Sequence, residues 1–337
     1  MAVLGSDKLG NSPYPVISFT GSTTWTCPVR MEVIIYVIGA GGSGGVASNG
    51  AQNELTGSDD NAYALGGGAG GCAISKLTLA AQDYTVTIGA GGLAAYNTGT
   101  TSAAVFTAGT AGGNSSFAGT GITTMNALGG AGGACAAGNM PSSNTAGGGA
   151  NGGTIMNNTG GGAARSTATG RHISGGGAVG LWATGEDGVL STTGGATANG
   201  GICSVGDATS LSNQNTSRTS TTIAPFTGLF TALHRGNLVN QGYGGVPAGE
   251  GLHALSNNAS AITNSYGNTH WYYQAYSALN GGVGFASGNR RYMHGGSASC
   301  GGGSGGCIGF YQSGSNTPRT YNGSGGNGMI LIFPLDM

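Results

Sequence analysis

The sequence predicts a mainly irregular, all-β fold: a bundle of short polyglycine II helices with β-strands at its base, formed by the N- and C-terminal parts. Three observations lead there. The 337 residues include 74 Gly. Only 6% are charged, against about 25% in an average soluble domain. Strand-forming runs also pass directly into glycine, as in VIIYVIGAGGSGG (33–45).

Disorder goes with low hydrophobicity and high net charge. Here apolar residues make up 38% and the formal net charge is -1, so an ordered glycine scaffold is expected instead of a flexible linker. A polyproline II chain turns once per three residues. With hydrogen as every side chain, neighbouring strands approach closely enough to pair backbone donors and acceptors, and Cα–H···O contacts add to this. Glycine loses more entropy on ordering than any other residue, so several such strands must form together. The runs do recur, as GAGGSGG (39–45), GGGAGG (66–71), GAGG (89–92), GGAGG (129–133), GGGANGG (147–153), GGG (160–162 and 175–177), GGGSGG (301–306) and GSGGNG (323–328).

Two enzymatic motifs match on paper. Gly39, Gly41 and Gly44 spell G-x-G-x-x-G, which needs a helix at its last glycine and an acidic residue about 20 positions on. Residues 46–60 lack a helical apolar period, and Asp59 and Asp60 sit in a turn-like cluster. The G-x-S-x-G at Gly41, Ser43 and Gly45, repeated at Gly302, Ser304 and Gly306, needs a strand-to-helix turn. In a chain this rich in glycine both are expected by chance, and no catalytic residue is assigned.

Taken in order, residues 1–15 form an extended N-terminal arm through Pro13 and Pro15, either disordered or an attachment segment. The arm lacks the basic start and apolar core of a signal peptide. Residues 16–337 are a single glycine-rich domain. VISFTGSTTWT (16–26), with a turn at Gly21 and Ser22, leads into the apolar strand 31–38 as an expected hairpin over one end of the bundle, with Trp25 as a core plug. Alternation through Ala73, Ser75, Leu77 and Leu79, then Tyr84, Val86 and Ile88, predicts two half-buried strands around the turn 81–83. MILIF (329–333) is the last strand. Strands rich in Val and Ile open and close the domain, so one sheet is expected to join the chain ends at the base, with loop tips at the other end.

The order ISFTGSTTWTCPVRMEVIIYVIGAGGSGG, GGGAGGCAISKLTLAAQDYTVTIGAGG, GGNSSF, GGAGG and terminal GSGGNGMILIFPLDM resembles the glycine-rich domains of bacteriophage tail-fibre adhesins. The resemblance covers roughly 16–336, the middle matching only in style. It implies a sandwich of polyglycine II helices with β-structure at the base, and loops between glycine motifs that carry host range. The glycine runs here are shorter and interrupted by Ala, Ser and Asn, with long tracts between them.

Glycine thins out in 202–242, where Phe226, Phe230 and Leu233 are expected packing residues, and almost vanishes in 254–278. That last tract carries His270, Trp271, Tyr272, Tyr273 and Tyr276, and a second patch holds Arg290, Arg291, Tyr292 and His294. Tyr, Trp and Arg among Ser, Gly and Asn are the residues of recognition loops: aromatics give large contact area for few torsions, and small polar residues adapt. Tyr and Trp also stack on sugar rings. The competing reading is core filling, although three consecutive aromatics cannot all face one side of a strand. His270, Trp271, Tyr272, Tyr273, Tyr276, Arg290, Arg291 and Tyr292 are therefore the candidate receptor-binding residues; Trp182 lacks such neighbours.

Cys27, Cys72, Cys135, Cys203, Cys300 and Cys307 show no C-x-x-C spacing and are expected as free thiols, although an even count allows disulfides. The five His are scattered, so no metal site and no cofactor are expected. The 10 Lys plus Arg form no basic stripe for nucleic acid, and no run approaches the roughly 20 apolar residues of a membrane span. The expected function is a fibre-tip adhesin on the virion surface. It would bind a bacterial surface protein or glycan and sit on a tail-fibre or other virion protein. A structural virion protein, such as a head-fibre or decoration protein, and an ice-binding protein are the alternatives.

Overall fold

A computed structural model describes residues 2–3, 16–49, 62–98, 105–137, 145–164, 171–181, 183–191, 197–198, 260–263, 269–272, 281, 284–287, 292–294, 298, 300–310, 319–321 and 323–336. The described residues are all-β, without helices, and fall into several largely antiparallel sheets.

Two sheets form the base. The first runs in the order β1 (Ala2–Val3), β2 (Ile17–Phe19), β25 (Met329–Asp336), β4 (Met31–Ile38), β7 (Cys72–Leu79) and β15 (Met156–Asn158). The second runs β14 (Ala150–Asn151), β12 (Met125–Ala127), β11 (Ser115–Ala118), β8 (Asp83–Thr87) and β3 (Thr23–Thr26). As expected, the first long strand and the last are neighbours, with Met329 opposite Ile38 and Phe333 opposite Ile34.

Seven of the eight residues of β4 are apolar, because both faces of its sheet are covered along most of the strand; Glu32, near its start, pairs with Lys76 at 3.0 Å. Val33, Ile35 and Val37 pack with Phe19, Trp25, Tyr84, Phe117 and Met125 between the two basal sheets. Tyr36 and Ile38 pack on the other side with Cys72, Ile74, Val179, Leu181 and Leu331. Trp25 is 6% exposed, a core plug as expected, with ring centroids 6.0 Å from Phe19, 6.0 Å from Tyr84 and 6.5 Å from Phe117.

One local expectation is corrected. No hairpin forms across residues 16–38: β2 pairs with β25, β3 with β8, and β4 with β25 and β7. The turn at Gly21 and Ser22 instead hands the chain from one basal sheet to the other. That crossing lets Phe19 and Trp25 fill the space between the sheets from opposite sides. The strands around 81–83 exist as predicted, and they too belong one to each basal sheet.

Three further sheets lie at the far end of the glycine runs. A central one has the order β10 (Val105–Thr107), β5 (Val46–Asn49), β23 (Cys307–Phe310), β21 (Gly284–Ser287) and β18 (Thr197–Ala198). On one side of it lie β13 (Cys135–Ala137), β6 (Ala62–Ala64), β16 (Arg171–Ser174) and β17 (Leu190–Ser191), joined to it by a core of Ala47, Ala64, Ile173 and Ile308. On the other lie β19 (Ser260–Thr263), β20 (Thr269–Tyr272), β22 (Tyr292–His294), β24 (Arg319–Tyr321) and β9 (Tyr96–Thr98).

The glycine runs cross between base and apex. Run 39–45 leads from β4 to β5, 65–71 from β6 back to β7, 128–134 from β12 to β13, and 323–328 leads into β25. Their backbones bond to one another with a period of three. The N–H groups of Gly39, Gly42 and Gly45 donate to the carbonyls of Gly71, Gly68 and Leu65; those of Ala40 and Ser43 donate to Gly113 and Thr110; that of Gly41 donates to Gly326. In return, Ala40 and Ser43 accept from Gly130 and Gly133, Gly42 and Gly45 accept from Ser304 and Cys307, and Gly41 accepts from Gly92. Run 39–45 is thus bonded to segments on all sides. A Cβ on Gly41 would collide with the carbonyl oxygen of Gly302, so a hydrogen is the only side chain this contact admits.

Candidate functional site

Because every run crosses the glycine layer, the tracts that sequence reasoning singled out leave from apical strands. Residues 269–272 form β20 and 292–294 form β22, and these two strands are parallel neighbours with Trp271 opposite Met293. The structure therefore brings His270, Trp271 and Tyr272 into one sheet with Tyr292 and His294. Tyr273, Tyr276, Arg290 and Arg291 lie outside the described residues, as do Trp182, Phe226, Phe230, Leu233, Asp59, Asp60 and Cys203.

Register then divides these positions between two faces. Residues opposite one another share a face, and neighbours along a strand alternate. One row is Trp271, Met293, Thr320 and Asn97. The rows on either side belong to the other face: Tyr292, Arg319 and Thr98, and His294, Tyr321 and Tyr96. His270 and Tyr272 flank Trp271 and fall on that second face as well. Tyr96, on the edge strand, is 57% exposed, and nearby Leu93 is 75% exposed.

Tyr96 and Arg319 escaped the sequence reading. Nothing local marks either residue: Tyr96 follows a glycine run by a few positions, and Arg319 ends a polar tract. Only the register of β24 between β22 and β9 places them beside the aromatic patches.

The serines of the two G-x-S-x-G matches have a different use. The Ser43 hydroxyl accepts from Thr110 N–H at 2.8 Å and the Ser304 hydroxyl from Gly44 N–H at 2.7 Å, both serines being fully buried. β5, not a helix, follows Gly45, so the context that either motif requires is absent here. Ser174 and Ser115 play the same part toward Gly66 and Gly89.

Within the apical sheets, His172 on β16 is 1% exposed beside Tyr63 on β6, and neither of its ring nitrogens has a hydrogen-bond partner among the described residues. Burial, with a smaller contribution from Cys135, raises the Tyr63 hydroxyl above its ordinary value, and burial pushes the Cys135 thiol up to about 11. Cys27, Cys72, Cys135, Cys300 and Cys307 are free thiols.

The family model for a glycine-rich domain matches residues 17–333. The chain belongs to this glycine-rich domain family. No curated protein matches it. In this glycine-rich domain the matched region takes in the basal sheets apart from β1 and the end of β25, the glycine layer and the strands of all three apical sheets, so the candidate face lies within the family's fold.

Proposed function

We propose that this glycine-rich domain is the tip adhesin of a bacteriophage tail fibre, binding a host surface receptor through an apex displayed on polyglycine II helices. The period-three hydrogen bonding of run 39–45 supports the helical part, because a polyproline II turn returns a donor to the same neighbour every third residue. The observation that carries the functional part is the division of labour along the molecule. Both chain ends enter the base through β1, β2 and β25, and the aromatic tracts leave from the apex.

A tail-fibre or other virion protein would hold the base, with residues 1–15 as the attachment arm. The apex would be free to meet a bacterial outer-membrane protein or glycan. The domain works by binding, without catalysis, cofactor, nucleic acid or membrane insertion. Many copies on one particle would let weak contacts sum through avidity. Fluorescently labelled full-length chain incubated with a panel of bacterial strains tests this. Saturable binding to some strains, reduced by a His270→Ala/Tyr272→Ala variant that melts like the parent, is expected. A chain that binds none of the strains is a structural virion component instead.

A further inference from the structure

We infer that two copies of this chain pair face to face through one broad, uncharged side: the outer surface of the second basal sheet and the glycine runs that continue it. Residues 108–114, 128–134 and 145–149 adjoin β11, β12 and β14 of that sheet, as 39–45 and 65–71 adjoin β4 and β7 of the first. They form a layer of their own. Gly109 and Gly112 donate to Gly133 and Gly130, and Leu128 and Ala131 donate to Gly149 and Ala146. On one side this layer is bonded to the inner runs, through Ala40 with Gly113 and Gly130 and through Ala69 with Gly148. The other side is open. Every third residue lies on it, with Ala108, Ala111 and Asn114 exposed, Leu128 41% exposed, and Ala131 and Ala134 half-buried. Strand alternation keeps the same side outward in the sheet. Ser115, Phe117, Met125 and Ala127 are buried, and the register rows Ser116–Asn126–Asn151 and Thr24–Thr85–Ala118 fall on the opposite face, where Thr24, Thr85 and Asn151 are exposed.

Charge and size select a second copy as the occupant. The segments that build this side, 23–26, 83–87, 108–118, 125–134 and 145–151, contain one charged residue, Asp83 at the basal rim, which accepts from the Thr26 hydroxyl. The first basal sheet, by contrast, carries the exposed pair Glu32 and Lys76. In an isologous pair the same patch meets itself, so a charged patch repels its copy and an uncharged one does not. Short side chains such as Ala also lose little rotamer freedom when covered. Strands about 4.8 Å apart, with rises of about 3.3 Å per strand residue and about 3.1 Å per residue of a glycine run, give this side roughly 600 Å². Two copies then bury about 1,200 Å², where specific interfaces begin. Leu128 is the apolar anchor near its centre, on the middle of the three runs and at the junction with the sheet. A two-fold axis along run 128–134 sets Leu128 against its copy and points both apices the same way. Both chain ends enter the first basal sheet, so pairing leaves them clear.

Sedimentation velocity on the full chain, from about 1 to about 100 μM, tests this. We expect a concentration-dependent shift from monomer to dimer with a micromolar Kd, as suits an interface at the small end of the range. Leu128→Glu and Leu128→Lys each change an exposed side chain and keep the N–H bond to Gly149, so each should weaken pairing by about tenfold or more with unchanged melting. An equimolar mixture of the two variants should pair again, because opposite charges then meet across the axis. Ile155→Glu, at an exposed apolar position between β14 and β15, should leave the dimer unchanged. A parent chain that stays monomeric at about 100 μM overturns the inference. So does a dimer that the Leu128 variants preserve, that Ile155→Glu weakens equally, or that the mixture fails to restore. A trimer lost in the variants overturns it as well, since the face then meets a different surface. Binding to bacterial cells is read separately: a monomeric parent that loses it on Leu128→Glu gives this side to the receptor and leaves the adhesin reading in place.

Discussion

The hydroxyl of Ser304 accepts a hydrogen bond from the backbone N–H of Gly44 at 2.7 Å, joining residues 260 apart in sequence. In a layer where backbone carbonyls serve most donors, the side chain here takes over a carbonyl's role. Ser304→Ala leaves the Gly44 N–H buried without this acceptor, which costs about 1–3 kcal/mol. Thermal unfolding should register a lower midpoint, and Ser304→Thr should recover part of it if the added methyl fits. An unchanged midpoint in the alanine variant would show that Gly44 finds another acceptor.

Close backbone approach makes the glycines unequal. A Cβ on Gly41 meets the Gly302 carbonyl oxygen and one on Gly67 meets that of Gly42, whereas one on Gly149 meets nothing within 4 Å. Gly41→Ala should therefore leave the chain insoluble or markedly destabilised, by about 3 kcal/mol or more, since backbone on both sides must shift. Gly149→Ala should be neutral or slightly stabilising through the unfolded chain's lost freedom, by up to about 1 kcal/mol. Soluble yield and urea midpoints distinguish the two. Equal behaviour of both variants would argue against a tightly packed glycine layer.

The sequence made some of this legible and hid the rest for physical reasons. The apolar run 33–38 announced a buried strand, and matching runs at both termini announced a shared sheet. The hairpin expected across 16–38 failed because local alternation cannot say which sheet a strand joins. That choice rests on Phe19 and Trp25 meeting across the core. Which glycine run bonds to which was unreadable, since glycines carry no side chain to tell partners apart. Only inserts such as Ser43, Ser174 and Ser304 mark particular crossings. At the apex, the composition of 269–272 and 292–294 was visible from the start. The neighbourhood of Tyr96 and Tyr321 depends on a strand register linking distant parts of the chain.

Trp25 should be the most sensitive single side chain of the base. It contacts Phe19, Tyr84 and Phe117, and Tyr84 and Phe117 themselves stack at 5.2 Å. Trp25→Ala opens a cavity between two sheets that cannot easily collapse, for a loss of about 3–5 kcal/mol. Trp25→Phe keeps one ring and should lose less. Denaturant titration followed by circular dichroism checks the order. Similar losses for Phe and Ala would mean that the indole's size is not what the site uses.

Stability should also fall in alkali. Burial, helped by Cys72, pushes the Tyr36 hydroxyl up to about 12 from an ordinary 10.0, and burial pushes Cys135 up to about 11 and Cys300 up to about 12 from 9.0. Each folded value lies above its unfolded one, so the native state holds these protons more tightly. The stabilisation is complete below the unfolded value and is lost as pH rises through the folded one. The thiols thus begin to count above about pH 9 and Tyr36 above about pH 10, each by at most about 1.4 kcal/mol per pH unit. Melting temperatures measured from pH 7 to pH 11 should be flat at first and then decline. Cys135→Ala should flatten the early part of that decline without abolishing it, because Tyr36 and Cys300 remain. A midpoint that stays constant to pH 11 in the parent chain would mean these groups titrate alike in the folded and unfolded states.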